Sequence, residues 1–99
     1  ARPRAAGRLR SARMSAPGLA PGVRLHHDRV RAREVLLAPE RIVALDETAA
    51  AILALVDGRR NLAEIAARLA ADYDADPAEI EADAAALIAD LAARGYVRP

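Results

Sequence analysis

The sequence predicts a small α+β domain in which a three-stranded antiparallel sheet is followed by three helices, in the order βββααα. Two observations predict this order. Between about residues 23 and 45, the apolar residues occur in short alternating or β-branched runs, which are typical of strands. Beyond residue 46, apolar residues recur at helical spacing, and each such segment follows a side chain that favours helix starts. We therefore expect a sheet with a helical layer packed against it.

The first 22 residues differ in composition from the rest of the chain. Residues 1–22 mix Arg, Ala, Pro, Gly and Ser without a periodic apolar pattern, which predicts a disordered linker rather than an anion-binding arm. The folded domain is then expected over residues 23–99. Residues 25–99 hold nine arginines and all fourteen acidic residues, a formal charge of −5, so a basic tail precedes an acidic body. Because the chain starts at Ala1 and has Met14 as its only methionine, we expect a fragment of a longer protein.

The strands are predicted from three runs. Residues 23–27 alternate between apolar and polar side chains, and Val35–Leu37 is a continuous apolar run. Proline fixes φ and lacks an N–H, so the chain should turn at Pro39-Glu40. The run that follows predicts a last short strand over Arg41–Leu45.

The first two helices are marked by their N-terminal capping residues. Asp46 is placed to cap a helix over about Glu47–Val56, and a glycine follows just past its end. Asn61 and Glu64 have the spacing of a capping box, which predicts a second helix to about residue 72.

The third helix has the most regular pattern. Asp76, Pro77 and Glu79 supply an N-cap, a proline at the first helical position and an early acid, and Gly95 ends the segment. Its apolar residues recur at i, i+4, i+7, i+8 and i+11: Ile80, Ala84, Leu87, Ile88 and Leu91. Three helices after a short sheet indicate a winged-helix-like domain.

The side chains needed for catalysis are scarce. The chain has no cysteine and no lysine, which excludes thiolate chemistry and fits a cytoplasmic location. His26-His27-Asp28 is the only cluster of catalytic type, and neighbouring residues of a strand point to opposite faces. We therefore expect no enzyme activity, no cofactor and no metal.

A DNA-binding winged helix is the competing hypothesis. Such binding depends on cationic contacts to phosphates. The first turns of the third helix instead carry Glu79, Glu81 and Asp83, and its first basic residue is Arg94. These acids disfavour DNA binding without excluding it.

Peptide binding is the second hypothesis. A short last strand that runs directly into helices can leave one sheet edge unpaired, and an extended peptide can add to such an edge. Arg41–Leu45 supplies the strand, and the Ile80–Leu87 face of the third helix supplies a candidate apolar wall. The alternative is that this helix face is simply core.

Four stretches of the sequence resemble the PqqD family, the peptide chaperones of pyrroloquinoline quinone (PQQ) biosynthesis. In order along about Val23 to Val97 they are VRLHHD, VLLAPERIVALDETAAAIL, DG…NLAEIAARLAADY and IEADAAALIADLAARGYV. The most specific parts are the Leu37–Glu40 turn, the Asp46–Ala49 helix start, Asp57-Gly58, and Asp83 ahead of an apolar helix.

This resemblance implies a non-catalytic RiPP recognition element that binds the precursor peptide PqqA by strand addition and presents it to the radical-SAM enzyme PqqE. Some members of the family are fused behind PqqC, which would account for a linker at the N-terminus. Ala84 departs from the expected bulkier aliphatic residue, so the groove would be shallower or the core looser. Carried onto this sequence, the peptide-binding residues are Arg41, Ile42, Val43, Ala44, Leu45, Ile80, Asp83, Ala84 and Leu87.

Overall fold

The computed structural model describes residues 16–99 and confirms the predicted α+β class. A central three-stranded sheet is followed by three helices, and two very short strands join the ends of the described chain. In chain order the elements are β1 (Gly18–Leu19), β2 (Arg24–Asp28), β3 (Arg33–Ala38), β4 (Arg41–Ala44), α1 (Glu47–Leu53), α2 (Leu62–Tyr73), α3 (Pro77–Ala93) and β5 (Val97–Arg98).

The main sheet is antiparallel, in the order β2-β3-β4. The predicted turn at Pro39-Glu40 joins β3 to β4, and Ala38 lies opposite Arg41 across it. Glu40 has a φ of +63°, so a proline at the second turn position and a positive φ at the third indicate a type II turn. Glycine is the usual residue at that third position because it lacks a Cβ. Glu40 therefore holds a strained backbone conformation in this two-residue connection.

The predicted linker is wrong over its last seven residues. Gly18–Leu19 pairs antiparallel with Val97–Arg98, and the Ala20 N–H donates to the Tyr96 carbonyl at 2.9 Å. The Gly58 N–H also donates to the Pro17 carbonyl at 2.9 Å. A two-residue strand carries no periodic pattern, so composition alone suggested a tether. Residues 1–15, the rest of that prediction, lie outside the described residues.

The capping predictions for the first two helices are confirmed. The Asp46 carboxylate accepts from the Ala49 N–H at 2.7 Å, and Asn61 and Glu64 form a reciprocal capping box with bonds of 2.8 and 2.9 Å. Helix α1 ends at Leu53, before the predicted Val56. The N–H groups of residues 55 and 56 bond three residues back, so the chain tightens out of α-helix there.

Helix α3 also starts as predicted. Asp76 accepts from the Ala78 N–H at 3.0 Å, with Pro77 in the first turn. The helix ends at Ala93, and Gly95 follows with a φ of +83°, a conformation that favours glycine.

The core lies between the sheet and the three helices. Leu36, at the centre of β3, has an exposed fraction of 0% and belongs to a core cluster that includes residues of all three helices. All large core side chains are aliphatic, because the sequence has no Phe or Trp. Within residues 16–99 no helix is both long and apolar enough to cross a membrane. The buried cluster consists of Leu36, Ile52, Leu53, Val56, Ile65, Leu69, Ala84, Ile88, Leu91 and Val97.

The β1–β5 pairing gives a prediction about the domain boundary. A chain that begins at Pro21 lacks β1 and its hydrogen bonds, whereas a chain that begins at residue 16 keeps them. Each hydrogen bond makes a net contribution of about 1 kcal/mol to stability, and partial burial of Leu19 adds about 1 kcal/mol. The free energy of unfolding of the shorter chain should therefore be lower by about 2–3 kcal/mol. Urea unfolding of the two chains measures the difference. Equal unfolding free energies would show that β1 does not belong to the folded domain.

Asp57 gives a second prediction, on the pH dependence of stability. Its carboxylate accepts from the backbone N–H groups of Arg60 and Arg59, each at 2.9 Å, and from the Arg60 guanidinium at 3.0 Å. The Arg60 backbone bond is the largest of the causes that lower the pKa of Asp57 below 3.8. A lowered folded-state pKa contributes stability that is present above the unfolded-state value and is lost as pH falls through the lowered pKa.

The Asp57→Asn variant still has a side-chain oxygen that accepts hydrogen bonds, but this side chain does not titrate. The variant should therefore be less stable than the parent near neutral pH, and the difference should shrink below about pH 4. Thermal unfolding of both proteins across this pH range is the measurement. A stability difference that stays constant down to about pH 2 would contradict the pKa shift.

Candidate functional site

Strand β4 forms an edge of the main sheet. Among residues 16–99 it pairs only with β3, so its other side is open. The register places Leu36 opposite Val43, and the Leu45 N–H continues the ladder by donating to the Glu34 carbonyl at 3.2 Å. In an antiparallel pair, hydrogen-bonded and non-hydrogen-bonded residue pairs alternate. Arg41, Val43 and Leu45 therefore direct their backbone groups toward β3.

Ile42 and Ala44 are the residues of β4 whose backbone N–H and C=O groups face away from the sheet. They lie opposite Leu37 and Val35 in the non-hydrogen-bonded positions of the register. The open edge thus presents two amide donors and two carbonyl acceptors over a four-residue strand. This is the arrangement that an added strand requires.

The side chains of β4 alternate between two faces. Val43 is half-buried and packs against the core cluster, as does Leu45 at the end of the strand. Ile42 lies on the opposite face with an exposed fraction of 70%, and Arg41 and Ala44 are exposed as well. The predicted strand Arg41–Leu45 is confirmed as far as Ala44.

The predicted helix wall is only partly available. Ile80 and Leu87 are half-buried at the margin of the core, and Asp83 is exposed on the same stripe of α3. Ala84 has an exposed fraction of 0% and belongs to the core cluster. Its assignment as a wall residue is therefore corrected, because its side chain is enclosed in the core cluster and offers no surface to a peptide. The loose core expected at Ala84 is not observed, since this small side chain is fully enclosed by its neighbours.

A cavity of about 430 Å³ lies where the start of α1, the end of α2 and the start of α3 meet. It brings Ile80 and Asp83 together with residues that the sequence pattern did not indicate, and no residue of β4 lines it. Its walls are Glu47, Thr48, Ala51, Ile52, Leu69, Tyr73, Ala75, Glu79, Ile80 and Asp83.

Tyr73 is the most conspicuous of the residues that were missed. It has an exposed fraction of 60% at the last position of α2, although it is one of only two aromatic residues in the chain. It follows Leu69 by four residues, so it continues the apolar stripe of α2 beyond the core. A rare aromatic residue at helical spacing from Leu69 was therefore the sequence signal that could have indicated Tyr73.

The charge and chemistry of this cavity favour binding over catalysis. Three carboxylates, those of Glu47, Glu79 and Asp83, are among its lining groups, and no arginine or histidine is. Aliphatic side chains form much of the remaining wall. Such a cavity suits an apolar group that carries a hydrogen-bond donor or a positive charge.

The histidines lie elsewhere. His27 on β2 pairs through Nδ1 with the Glu34 carboxylate at 2.6 Å, and His26 points to the other face of the strand. In the part of the chain that the structure describes, no three ligating side chains of His, Cys, Asp or Glu come together to hold a metal ion.

Comparison with solved structures identifies the same fold. The solution NMR structure of the PqqD truncation of Methylobacterium extorquens PqqCD, a functional stand-alone RiPP recognition element, has 51% identity and a TM-score of 0.75. The match covers 84% of this chain and 88% of that one. A lasso peptide synthetase B1 complexed with its leader peptide has 25% identity and a TM-score of 0.71, covering 86% of this chain and 100% of that one.

Sequence comparisons agree with the structural ones. The PqqA binding protein of Xanthomonas oryzae pv. oryzae is 54% identical over 86 residues, which is 87% of this chain and 94% of that protein. The bifunctional coenzyme PQQ synthesis protein C/D of Methylorubrum extorquens is 55% identical over 76 residues, which is 77% of this chain and 20% of that longer protein. The family model for coenzyme PQQ synthesis protein D matches residues 33–97, and the chain belongs to the PqqD family.

Proposed function

We propose that this domain binds the precursor peptide PqqA as an added strand along β4 and presents it to the radical-SAM enzyme PqqE, without chemistry of its own. The open edge of β4 carries the proposal. Relatives that are named for binding PqqA, and a neighbour of the same fold that is complexed with a leader peptide, support it.

The backbone of the peptide would bond to Ile42 and Ala44. These residues offer outward N–H and C=O groups, so a peptide strand would form up to four hydrogen bonds with them. The strand spans about 13 Å at the usual rise per residue, which suits a peptide segment of four or five residues. Main-chain pairing supplies affinity that is largely independent of sequence, so selectivity must come from side chains.

Alternate side chains of the bound peptide would reach the helical side of the sheet. Val43 and Leu87 border the same core cluster, one from the edge strand and one from α3. An apolar peptide side chain placed beyond Val43 would extend this cluster over the half-buried Leu87. Asp83 is exposed one helical turn before Leu87, and its carboxylate would accept from a donor on the peptide.

The proposal also covers catalysis, cellular location and a partner in the same chain. We assign no catalytic residue, and we expect the domain to work in the cytoplasm, where a ribosomal precursor peptide is made. In a relative that joins the C and D proteins in one chain, a PqqC domain shares the polypeptide. An equivalent PqqC partner in cis, joined through the N-terminal linker, is part of this proposal.

No observation favours the DNA-binding alternative. Glu79 and Asp83 are exposed on the first turns of α3, the helix that would enter a DNA groove. Their charges would repel the phosphate backbone.

Proline substitutions test the outward amides. Ala44→Pro removes an N–H that faces the open edge, where proline is tolerated, so the variant should fold and bind PqqA at least about tenfold more weakly. Val43→Pro removes an N–H that bonds to Leu36 and should unfold the domain. Circular dichroism checks the fold, and calorimetry measures PqqA affinity.

Ala44→Ser is the matched control for the edge variant. It keeps the N–H, and an exposed substitution of this kind changes little, so its PqqA affinity should stay within about twofold of the parent. A folded Ala44→Pro variant that binds PqqA as tightly as Ala44→Ser would refute strand addition at β4.

A further inference from the structure

The tip of the β2–β3 hairpin is a compact basic surface on an otherwise acidic body. Residues 29–33 contain three arginines and no acidic residue, whereas residues 25–99 as a whole have a formal charge of −5. Arg29, Arg31 and Arg33 are all exposed. Among residues 16–99, the guanidinium groups of Arg29 and Arg33 form no ion pair, so their charges are available to a partner.

An apolar side chain stands among these arginines. Val30 has an exposed fraction of 92%, the highest of the large exposed apolar residues in the described chain. A solvent-exposed turn does not need a valine there, since β-branched residues are poor turn formers. Arginine with an apolar neighbour is the composition that protein interfaces favour, while phosphate-binding surfaces gain nothing from the valine.

The turn is held in one conformation by its own side chains. Asp28 Oδ1 accepts from the N–H groups of Val30 and Arg31 at 3.0 and 3.2 Å, and the Arg31 guanidinium lies 3.5 Å from Asp28 Oδ2. The His27–Glu34 pair closes the strands just below the turn. A preorganised tip loses little conformational entropy when it binds.

The tip projects past the end of the proposed peptide edge. The last bond between β3 and β4 joins Leu45 to Glu34, and the chain continues three residues from Glu34 to Arg31. At the usual rise per residue the tip extends about 10 Å beyond that bond. A protein that holds the tip would therefore face one end of a peptide carried on β4.

We propose that Arg29, Val30 and Arg33 dock this domain onto an acidic surface of the enzyme that modifies the bound peptide. This inference rests on the proposed function, because it takes that enzyme to be PqqE. The tip binds the enzyme while β4 holds the peptide, so the two contacts use separate surfaces of the domain. The complementary site on the enzyme is rich in Asp and Glu and has a shallow apolar depression for Val30.

Charge reversal tests the docking surface. Arg29→Glu combined with Arg33→Glu should weaken binding to purified PqqE at least about tenfold, mainly through a slower association rate, and should leave PqqA affinity unchanged. Binding of the parent should also weaken as salt rises. Biolayer interferometry at two salt concentrations gives the rates, and calorimetry gives PqqA affinity.

Two further variants sharpen the test. Arg24→Glu with Arg59→Glu changes the net charge equally at exposed positions away from the tip, and should alter PqqE binding less than about twofold. Val30→Ser leaves the charge unchanged and should raise the dissociation rate alone. If charge reversal at the tip perturbs the fold, Arg29→Gln with Arg33→Gln replaces it and should weaken PqqE binding in the same direction.

The outcomes separate this inference from the proposed function. Failure of the parent to bind PqqA or PqqE would refute the proposed function, whereas a parent that binds both and a tip variant that binds PqqE as tightly as the parent would overturn the docking inference alone. Equal effects of the tip and control pairs would show a nonspecific charge effect and overturn the proposal. So would loss of PqqA binding in a folded tip variant, or tighter binding of the tip to duplex DNA or anionic vesicles than to PqqE.

Discussion

The register between β3 and β4 is the constraint on which the rest of the structure depends. The two-residue turn at Pro39-Glu40 sets Leu36 opposite Val43, and this places both side chains toward the helices. A slip by one residue would turn Val43 outward and bring Ile42 into the core. The same register determines which amides of β4 bond to β3 and which face the open edge. The core and the candidate binding edge are therefore specified together.

Small side chains take part in the close packing of the core. Ala84 is fully buried in the same cluster as Leu36, Ile65 and Leu91, which are also almost completely enclosed. Because the sequence has no Phe or Trp, the core depends on close contacts between aliphatic side chains rather than on large aromatic rings. The short β1–β5 pairing then ties the start of the described chain to the end of α3. Such connections matter in a domain of this size, because its core alone supplies a small margin of stability.

Local signals made most of the fold predictable. Asp46, Asn61 and Asp76 each cap a helix through bonds to N–H groups two or three residues away, so the sequence contains both partners of the interaction. Strand β1 was missed for the opposite reason, since its partner β5 lies at the other end of the chain and neither is long enough to show a pattern. Ala84 was misassigned because helical periodicity groups residues on a face without showing what that face contacts. The pattern of Arg41–Leu45 indicated a candidate binding strand, and a family resemblance then selected its individual residues. The cavity around Tyr73 depends on the packing of three helices, which no local pattern shows.

The direction of the β4 amides decides whether a peptide strand can add to this edge, and amide hydrogen exchange measures that direction. In the free domain, Val43 and Leu45 should exchange slowly, and Ile42 and Ala44 should exchange at rates close to those of an unfolded chain. Saturating PqqA should slow exchange at Ile42 and Ala44 by at least about tenfold, because each N–H gains a partner in the added strand. Unchanged rapid exchange of Ile42 and Ala44 in the saturated complex would contradict strand addition at this edge.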